Sequence, residues 1–121
     1  MTQEDKQLLL KDLCAKLPYR VIAYASEINK NGIITDVNIP YNMVNLTVDN
    51  DSGKYELVPL FDIRPYLRSM SSMTEEEKAF VYNGHIEFWI REDYCNKHHL
   101  DYRGLLKKDL ANEAPEGMYK L

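Results

Sequence analysis

Residues 63–78 read Ile63-Arg64-Pro65-Tyr66-Leu67-Arg68-Ser69-Met70-Ser71-Ser72-Met73-Thr74-Glu75-Glu76-Glu77-Lys78, and they separate a strand-rich half from a helix-rich half. Pro65 has no N–H donor and keeps the preceding residue out of the α region, so we expect an extended segment to finish near Ile63. Thr74 and Glu77 have the spacing of a capping box, in which each side chain accepts a hydrogen bond from the other residue's amide. The stretch therefore predicts a connector over 64–73 and a helix from about residue 75 to Tyr82.

The chain before this stretch begins with a predicted helix over 1–18. Thr2 is a suitable N-cap, and Pro18 ends the helix because it cannot continue the hydrogen-bond ladder. The apolar side has helical spacing and consists of Leu9, Leu10, Leu13, Cys14 and Leu17. We expect this stripe to pack on a sheet.

Four strands follow within residues 19–63. They are predicted at 19–25, 33–39, 43–49 and 54–61, and the second and third show a two-residue alternation of apolar and polar side chains. Asn31-Gly32 favours the positive φ angles of a tight turn between the first two strands, and Pro59 favours an edge position or a bulge for the fourth. The pattern indicates an antiparallel meander, either curled into an SH3-like barrel or left open with helices on one face.

Residues 74–111 are predicted to be mainly helical, and residues 112–121 to form a tail. Alternation at 85–90 predicts a short fifth strand, and 91–99 is predicted to be helical. Asp101 is a suitable cap for a last helix through Leu110. The expected fold is α+β, with an N-terminal helix, a four- to five-stranded antiparallel meander and C-terminal helices in one domain over 1–121.

Composition limits the classes of function. The formal net charge of -4 and a pI near 5.3 disfavour a phosphate-binding surface. The first residues have no basic segment of the kind that opens a signal peptide, and no apolar run approaches the about 20 residues that span a membrane. Because the two cysteines lack redox or metal spacing, we expect reduced thiols in a cytoplasmic protein that has no membrane partner.

One cluster could bind a metal, and its members are Cys95, His98, His99 and Asp101. A zinc site needs about four converging ligands, and the sequence offers no second Cys/His pair to complete one. General acid–base catalysis by His99 with Asp101 and Arg103 is a further hypothesis, but no activated nucleophile motif accompanies these residues. We therefore expect no cofactor, no metal and no enzymatic activity.

Two kinds of partner remain. A protein-interaction or accessory module is the leading hypothesis, with Tyr66, Trp89, Tyr94 and Tyr102 as the candidate partner-binding side chains. The alternative is a small nucleic-acid-binding protein that uses Arg20, Arg64 and Arg68 beside Tyr19 and Tyr66. A metal-dependent enzyme centred on His98 and His99 is the second alternative.

Three blocks of the sequence resemble one family. The blocks are Leu8–Leu13 with Leu17-Pro18-Tyr19, then Pro65–Arg68 with Ser71–Lys78, and finally His98–Leu106 with Glu113–Tyr119. They are similar to small uncharacterised proteins encoded by gut Bacteroidales and their prophages. The resemblance implies a bacterial, phage-derived setting and supplies no catalytic residues.

Overall fold

The computed structural model describes residues 1–49 and 53–119 and has the predicted α+β class. In chain order its helices and strands are α1 Gln3–Lys16, β1 Ile22–Ala25, β2 Lys30–Asn38, β3 Met43–Asp49, β4 Lys54–Pro59, β5 Ile63–Leu67, α2 Glu75–Val81, α3 Phe88–Lys97 and β6 Asn112–Glu113. An N-terminal helix, a mainly antiparallel sheet and later helices are thus confirmed. None of the helices described has the length and apolar character needed to cross a bilayer.

Helix α1 begins and ends as its local signals predict. The Thr2 hydroxyl accepts a hydrogen bond from the Asp5 amide at 3.0 Å, and the chain passes into a 3-10 turn at Leu17–Tyr19. Leu9 and Leu13 are fully buried against the sheet, whereas Cys14 is exposed. The buried side of α1 also carries two charged residues, Asp12 and Lys16.

The sheet has the order β4-β3-β2-β1-β5-β6. All pairs are antiparallel except β5 with β6, which is parallel. In the part of the chain that is described, no ladder joins β4 to β6, so backbone pairing leaves the sheet open. Strand β4 lies at an edge, which is one of the two placements that Pro59 favoured.

The predicted turn at Asn31-Gly32 is wrong. The chain turns at 26–29, where Asn29 has φ +50°, and Gly32 lies inside β2. A Cβ atom at Gly32 would stand 2.7 Å from both Leu46 Cγ and the Thr47 carbonyl oxygen. Gly32 is therefore required because β3 approaches closely, not because the chain turns there.

Uninterrupted alternation along the second strand is also wrong. The β2–β3 register shifts between Ile34 and Asp36, which marks a β-bulge. Ile34 is buried, and after the shift Val37 lies opposite the buried Val44 and packs against the same core. The bulge thus places Ile34 and Val37 on the core side despite their three-residue spacing.

The connector predicted over 64–73 begins with a strand. Strand β5 runs through Pro65 and returns to pair with β1, with Ala23 opposite Pro65. Its other neighbour, β6, pairs only with Tyr66 and Leu67, so Pro65 occupies an edge-like position. The predicted strand end near Ile63 is in fact a strand start.

Two predictions for the C-terminal half are wrong. No strand forms over 85–90, because Glu87 is the N-cap of α3 and Phe88 begins the helix. No helix forms over 101–110, because Gly104 has φ +80° and the segment runs as turns. The Asp101 carboxylate still organises it by accepting hydrogen bonds from the amides of Leu105 and Leu106 at 2.8 and 2.9 Å.

The predicted tail also contributes to the fold, because β6 extends the sheet and Ala114 donates its amide to the Leu67 carbonyl at 2.8 Å. The main core lies between α1 and the sheet. A smaller apolar cluster beneath α2 and α3 is built on Met73, Val81, Cys95 and Leu100. The segment that follows β5 and the last turn of α3 line the same cleft.

Candidate binding cleft

A cleft of about 640 Å³ lies where the end of β5, the first turn of α2, the last turn of α3 and residues 113–117 meet. We call it the Arg68 cleft. Its lining consists of Arg68, Ser69, Ser72, Thr74, Glu76, Glu77, Tyr94, His98, Glu113, Ala114, Pro115, Glu116, Gly117 and Tyr119.

Its floor is an ion pair between Arg68 and Glu77. The guanidinium donates Nη1 to Oε2 at 2.8 Å and Nη2 to Oε1 at 2.7 Å, which is a bidentate arrangement. The two side chains are only 18% and 7% exposed. The hydrogen bonds from Arg68 lower the pKa of Glu77 from the usual 4.5 to about 2, so the carboxylate is charged throughout the physiological range.

The first turn of α2 positions Glu77. The Glu77 amide donates to the Thr74 hydroxyl at 3.2 Å, and the Thr74 amide donates to Glu77 Oε1 at 2.9 Å. Both halves of the predicted capping box are therefore present. The same carboxylate holds the helix start and binds Arg68.

The main chain of Arg68 brings the histidine segment to the cleft. The Arg68 amide donates to the His99 carbonyl at 2.8 Å, and the Asp101 amide donates to the Arg68 carbonyl at 2.9 Å. The Arg68 guanidinium also donates to the His98 carbonyl at 3.3 Å. These bonds fix the end of α3 beside Glu77.

The His98 imidazole completes one wall of the Arg68 cleft. Its Nδ1 atom lies 3.0 Å from Glu77 Oε2, and its ring stacks on Tyr94 at 4.1 Å. Tyr94 is in turn stacked on Phe80 at 4.1 Å. Burial lowers the pKa of His98 although Glu77 opposes the shift, so the imidazole is neutral at pH 7.

Tyr119 anchors the C-terminal side of the cleft. Its hydroxyl accepts from the Ile22 amide at 2.9 Å and donates to the Tyr66 carbonyl at 2.7 Å. Its ring stacks on His99 with centroids 3.7 Å apart. His99 Nε2 lies 2.6 Å from the Tyr19 carbonyl and donates to it, and burial lowers the pKa of His99.

The rim of the Arg68 cleft is acidic and its wall is partly apolar. Glu76, Glu113 and Glu116 are exposed, and none of them has an ion-pair partner within residues 1–49 and 53–119. Ala114 and Pro115 supply apolar surface between these carboxylates. Because Arg68 already neutralises Glu77 and His98 is uncharged, the cleft carries an excess of negative charge.

The four candidate metal ligands are dispersed. Cys95 is buried in the smaller apolar cluster, His98 contacts Glu77, His99 stacks on Tyr119, and Asp101 caps a turn. Across the described ranges, no three His, Cys, Asp or Glu side chains converge as metal ligands would. The acid–base grouping of His99, Asp101 and Arg103 does not form among the described hydrogen bonds and ion pairs. Arg103 instead lies with its Nε atom 3.4 Å from Asp12 Oδ1, and its guanidinium donates a hydrogen bond to the Tyr102 hydroxyl.

The four candidate partner-binding side chains lie on different surfaces. Tyr94 lines the Arg68 cleft, whereas Trp89 is 64% exposed on α3. Tyr66 is half-buried and donates its hydroxyl to Asn31 at 3.1 Å. Tyr102 is half-buried beside two cationic groups, Lys16 Nζ and the Arg103 guanidinium, at 4.7 and 4.8 Å from its ring centroid.

The three candidate arginines do not form one patch. Arg68 pairs with Glu77, and Arg64 donates to Asp109 at 2.6 Å and to Asn112 at 2.8 Å. Arg20 is exposed and has φ +59°. Two of the three guanidinium groups are therefore already paired with carboxylates.

The sequence assigned Glu77 only to a helix cap, and it assigned residues 113–119 to a tail and to no binding site. It also missed the fully buried ion pair of Lys16 Nζ with Asp12 Oδ1 at 2.5 Å. Burial raises the pKa of Asp12 and lowers that of Lys16, against their mutual attraction. The capping box of Thr74 and Glu77 was the local signal in the sequence for the cleft.

No family model, curated protein sequence or solved structure matches this chain. The geometry and charge of the Arg68 cleft are therefore the indications of function that the molecule itself offers.

Proposed function

We propose that this protein is a non-enzymatic interaction module that receives a basic segment of a partner protein in the Arg68 cleft. The observation that carries the proposal is a preformed cleft whose floor is internally paired and whose rim carboxylates have no partner among the described residues. Lysine and arginine side chains are the protein groups that complement such a rim. The chain would then act in the cytoplasm as an accessory protein.

The shape of the cleft supports this choice of ligand. A volume of about 640 Å³ falls within the about 300–1,000 Å³ of ordinary ligand pockets and accommodates a few side chains. Lysine and arginine have long aliphatic stems that pack on apolar surface while the charged end stays in a polar environment. Pro115 and Ala114 offer that surface, and Glu113 and Glu116 flank it.

Charge favours a protein partner over nucleic acid here. An acidic rim repels phosphate, and the paired state of Arg64 and Arg68 leaves little cationic surface for a nucleic-acid backbone.

An enzymatic role of His98 and His99 is less well supported, because the two imidazole rings do not face a common site. The His98 ring lies against Glu77, and the His99 ring stacks on Tyr119.

The test is direct binding of short peptides by fluorescence anisotropy at low ionic strength. A labelled peptide of alternating lysine and alanine is compared with one of alternating glutamate and alanine. We expect the basic peptide to bind, the acidic peptide not to bind, and affinity to fall as salt is raised.

Matched variants locate the site. Glu113→Lys with Glu116→Lys should abolish binding of the basic peptide, whereas Glu27→Lys with Asp36→Lys changes the net charge equally at exposed positions outside the cleft and should retain most of it. Equal loss in both double variants would show attraction to overall charge only. No binding of the basic peptide at low salt would overturn the proposal.

A further inference from the structure

The β4 edge, residues 54–57 of the terminal strand, is uncovered on both faces. Lys54, Tyr55, Glu56 and Leu57 are all exposed, whereas Val58, further along the strand, is buried. Among the residues described, β3 is the only strand paired with β4. One side of the strand therefore presents unpaired backbone N–H and C=O groups.

Apolar side chains accompany these unpaired groups. Tyr55 and Leu57 are each 62% exposed and point to the same face, because successive side chains of a strand alternate. Natural proteins usually protect such an edge with charged side chains, inward-pointing charges, proline or a covering element. Lys54 and Glu56 lie on the face that also carries the buried Leu46 and Val58, so they disfavour most pairing strands, but their opposite signs admit a strand with the complementary order of charges.

The order of these charges is self-complementary. When two copies of β4 run antiparallel with Tyr55 opposite Tyr55, Lys54 of each copy lies directly opposite Glu56 of the other. The two-fold axis forms this pair twice, and each directly opposite pair of unlike charges stabilises a sheet. On the other face, the same register places Leu57 diagonal to the Tyr55 ring of the second copy. A register with Glu56 opposite Glu56 is disfavoured by repulsion.

We propose that the β4 edge binds the β4 edge of a second copy of this chain, antiparallel and with Tyr55 at the two-fold axis. The two six-stranded sheets then become one continuous sheet. The overlap covers residues 53–57 of each copy, which is smaller than a standard interface of about 800 Å² per partner, so the association is weak and concentration-dependent. The Arg68 cleft lies elsewhere on the molecule, so this inference does not depend on the proposed function.

Sedimentation equilibrium of four forms of the full chain tests the proposal. The forms are the wild type, Lys54→Glu, Glu56→Lys and the double variant carrying both changes. Each single variant places like charges opposite each other twice and should raise the dimer Kd about tenfold, whereas the double variant restores both unlike pairs and should return to the wild-type Kd.

A mixture of the two single variants gives the sharpest result. Lys54→Glu presents two acidic positions and Glu56→Lys two basic positions, so an equimolar mixture should form a heterodimer although each variant alone associates poorly. Circular dichroism checks that every form is folded, and basic-peptide binding at the Arg68 cleft should be the same in all four. A wild type that stays monomeric at millimolar concentration, or a double variant or mixture that fails to recover, would overturn the proposal.

Discussion

Replacement of Glu77 with glutamine tests the central contact of the Arg68 cleft. Glu77 holds Arg68 through two hydrogen bonds and receives the Thr74 amide, and its side chain is only 7% exposed. Glutamine keeps the size of the side chain but removes its charge, which leaves the Arg68 guanidinium without a carboxylate. Removing one partner of a buried pair costs about 3–5 kcal/mol.

The pKa of Glu77 supplies an independent magnitude. The shift from 4.5 to about 2 corresponds to about 3 kcal/mol of stability, because each unit is worth about 1.4 kcal/mol. Since the pKa is lower in the folded state, this stability is fully present above the unfolded pKa of 4.5 and is lost as pH falls toward 2. At pH 3 about 1 kcal/mol of it should remain.

Urea unfolding measured between pH 7 and pH 3 checks both numbers. The difference between wild type and Glu77→Gln should be about 3 kcal/mol at pH 7 and should shrink toward about 1 kcal/mol at pH 3. Glu75→Gln is the matched control, because Glu75 lies in the same turn, is 94% exposed and should change stability by less than about 0.5 kcal/mol. If wild type and Glu77→Gln lost stability in parallel over this range, the assignment of the ion pair would be refuted.

Three further predictions concern packing, exposure and burial. Gly32→Ala should destabilise the protein by about 1–3 kcal/mol in urea unfolding because β3 leaves no room for the added methyl group, whereas Gly84→Ala, with open space around it, should change stability far less. Cys14 should react with Ellman's reagent in the folded protein and Cys95, which is 2% exposed, only after unfolding; equal rates would contradict the burial of Cys95. His99 should titrate below its ordinary 6.5 by NMR because it is buried, so protonation favours the unfolded chain and the free energy of unfolding should decrease as pH falls below 6.5; a pKa above 6.5 would contradict its environment.

Local signals predicted several elements correctly. Thr2 and Pro18 delimited the first helix, and Thr74 with Glu77 set the start of α2, because these effects act between residues within one helical turn. The alternation at 43–49 predicted β3 with its exact bounds. The errors over 85–90 and 101–110 arose where short patterns were compatible with two structures and the tertiary neighbours decided between them.

The Arg68 cleft shows more clearly which features local sequence signals could predict and which they could not. Arg68, His98 and Tyr94 were each named from the sequence, but they were assigned to three different hypothetical functions. The structure joins them because β5 returns to β1 and Arg68, the residue that follows β5, bonds the segment after α3. No sequence pattern specifies a contact between Arg68 and a carbonyl thirty-one positions away.

By itself, the sequence determined the fold class, the capped starts of α1 and α2, and the four-strand meander. These features depend on φ preferences, hydrogen-bond caps and side-chain periodicity, which act over a few residues. Only the tertiary structure decided that Pro65 lies in a strand, that Gly32 serves packing, that Lys16 and Asp12 are buried together and that Glu77 meets Arg68 and His98 in a cleft. Those features depend on which distant segments pack against each other, since burial and charge pairing are properties of the folded chain.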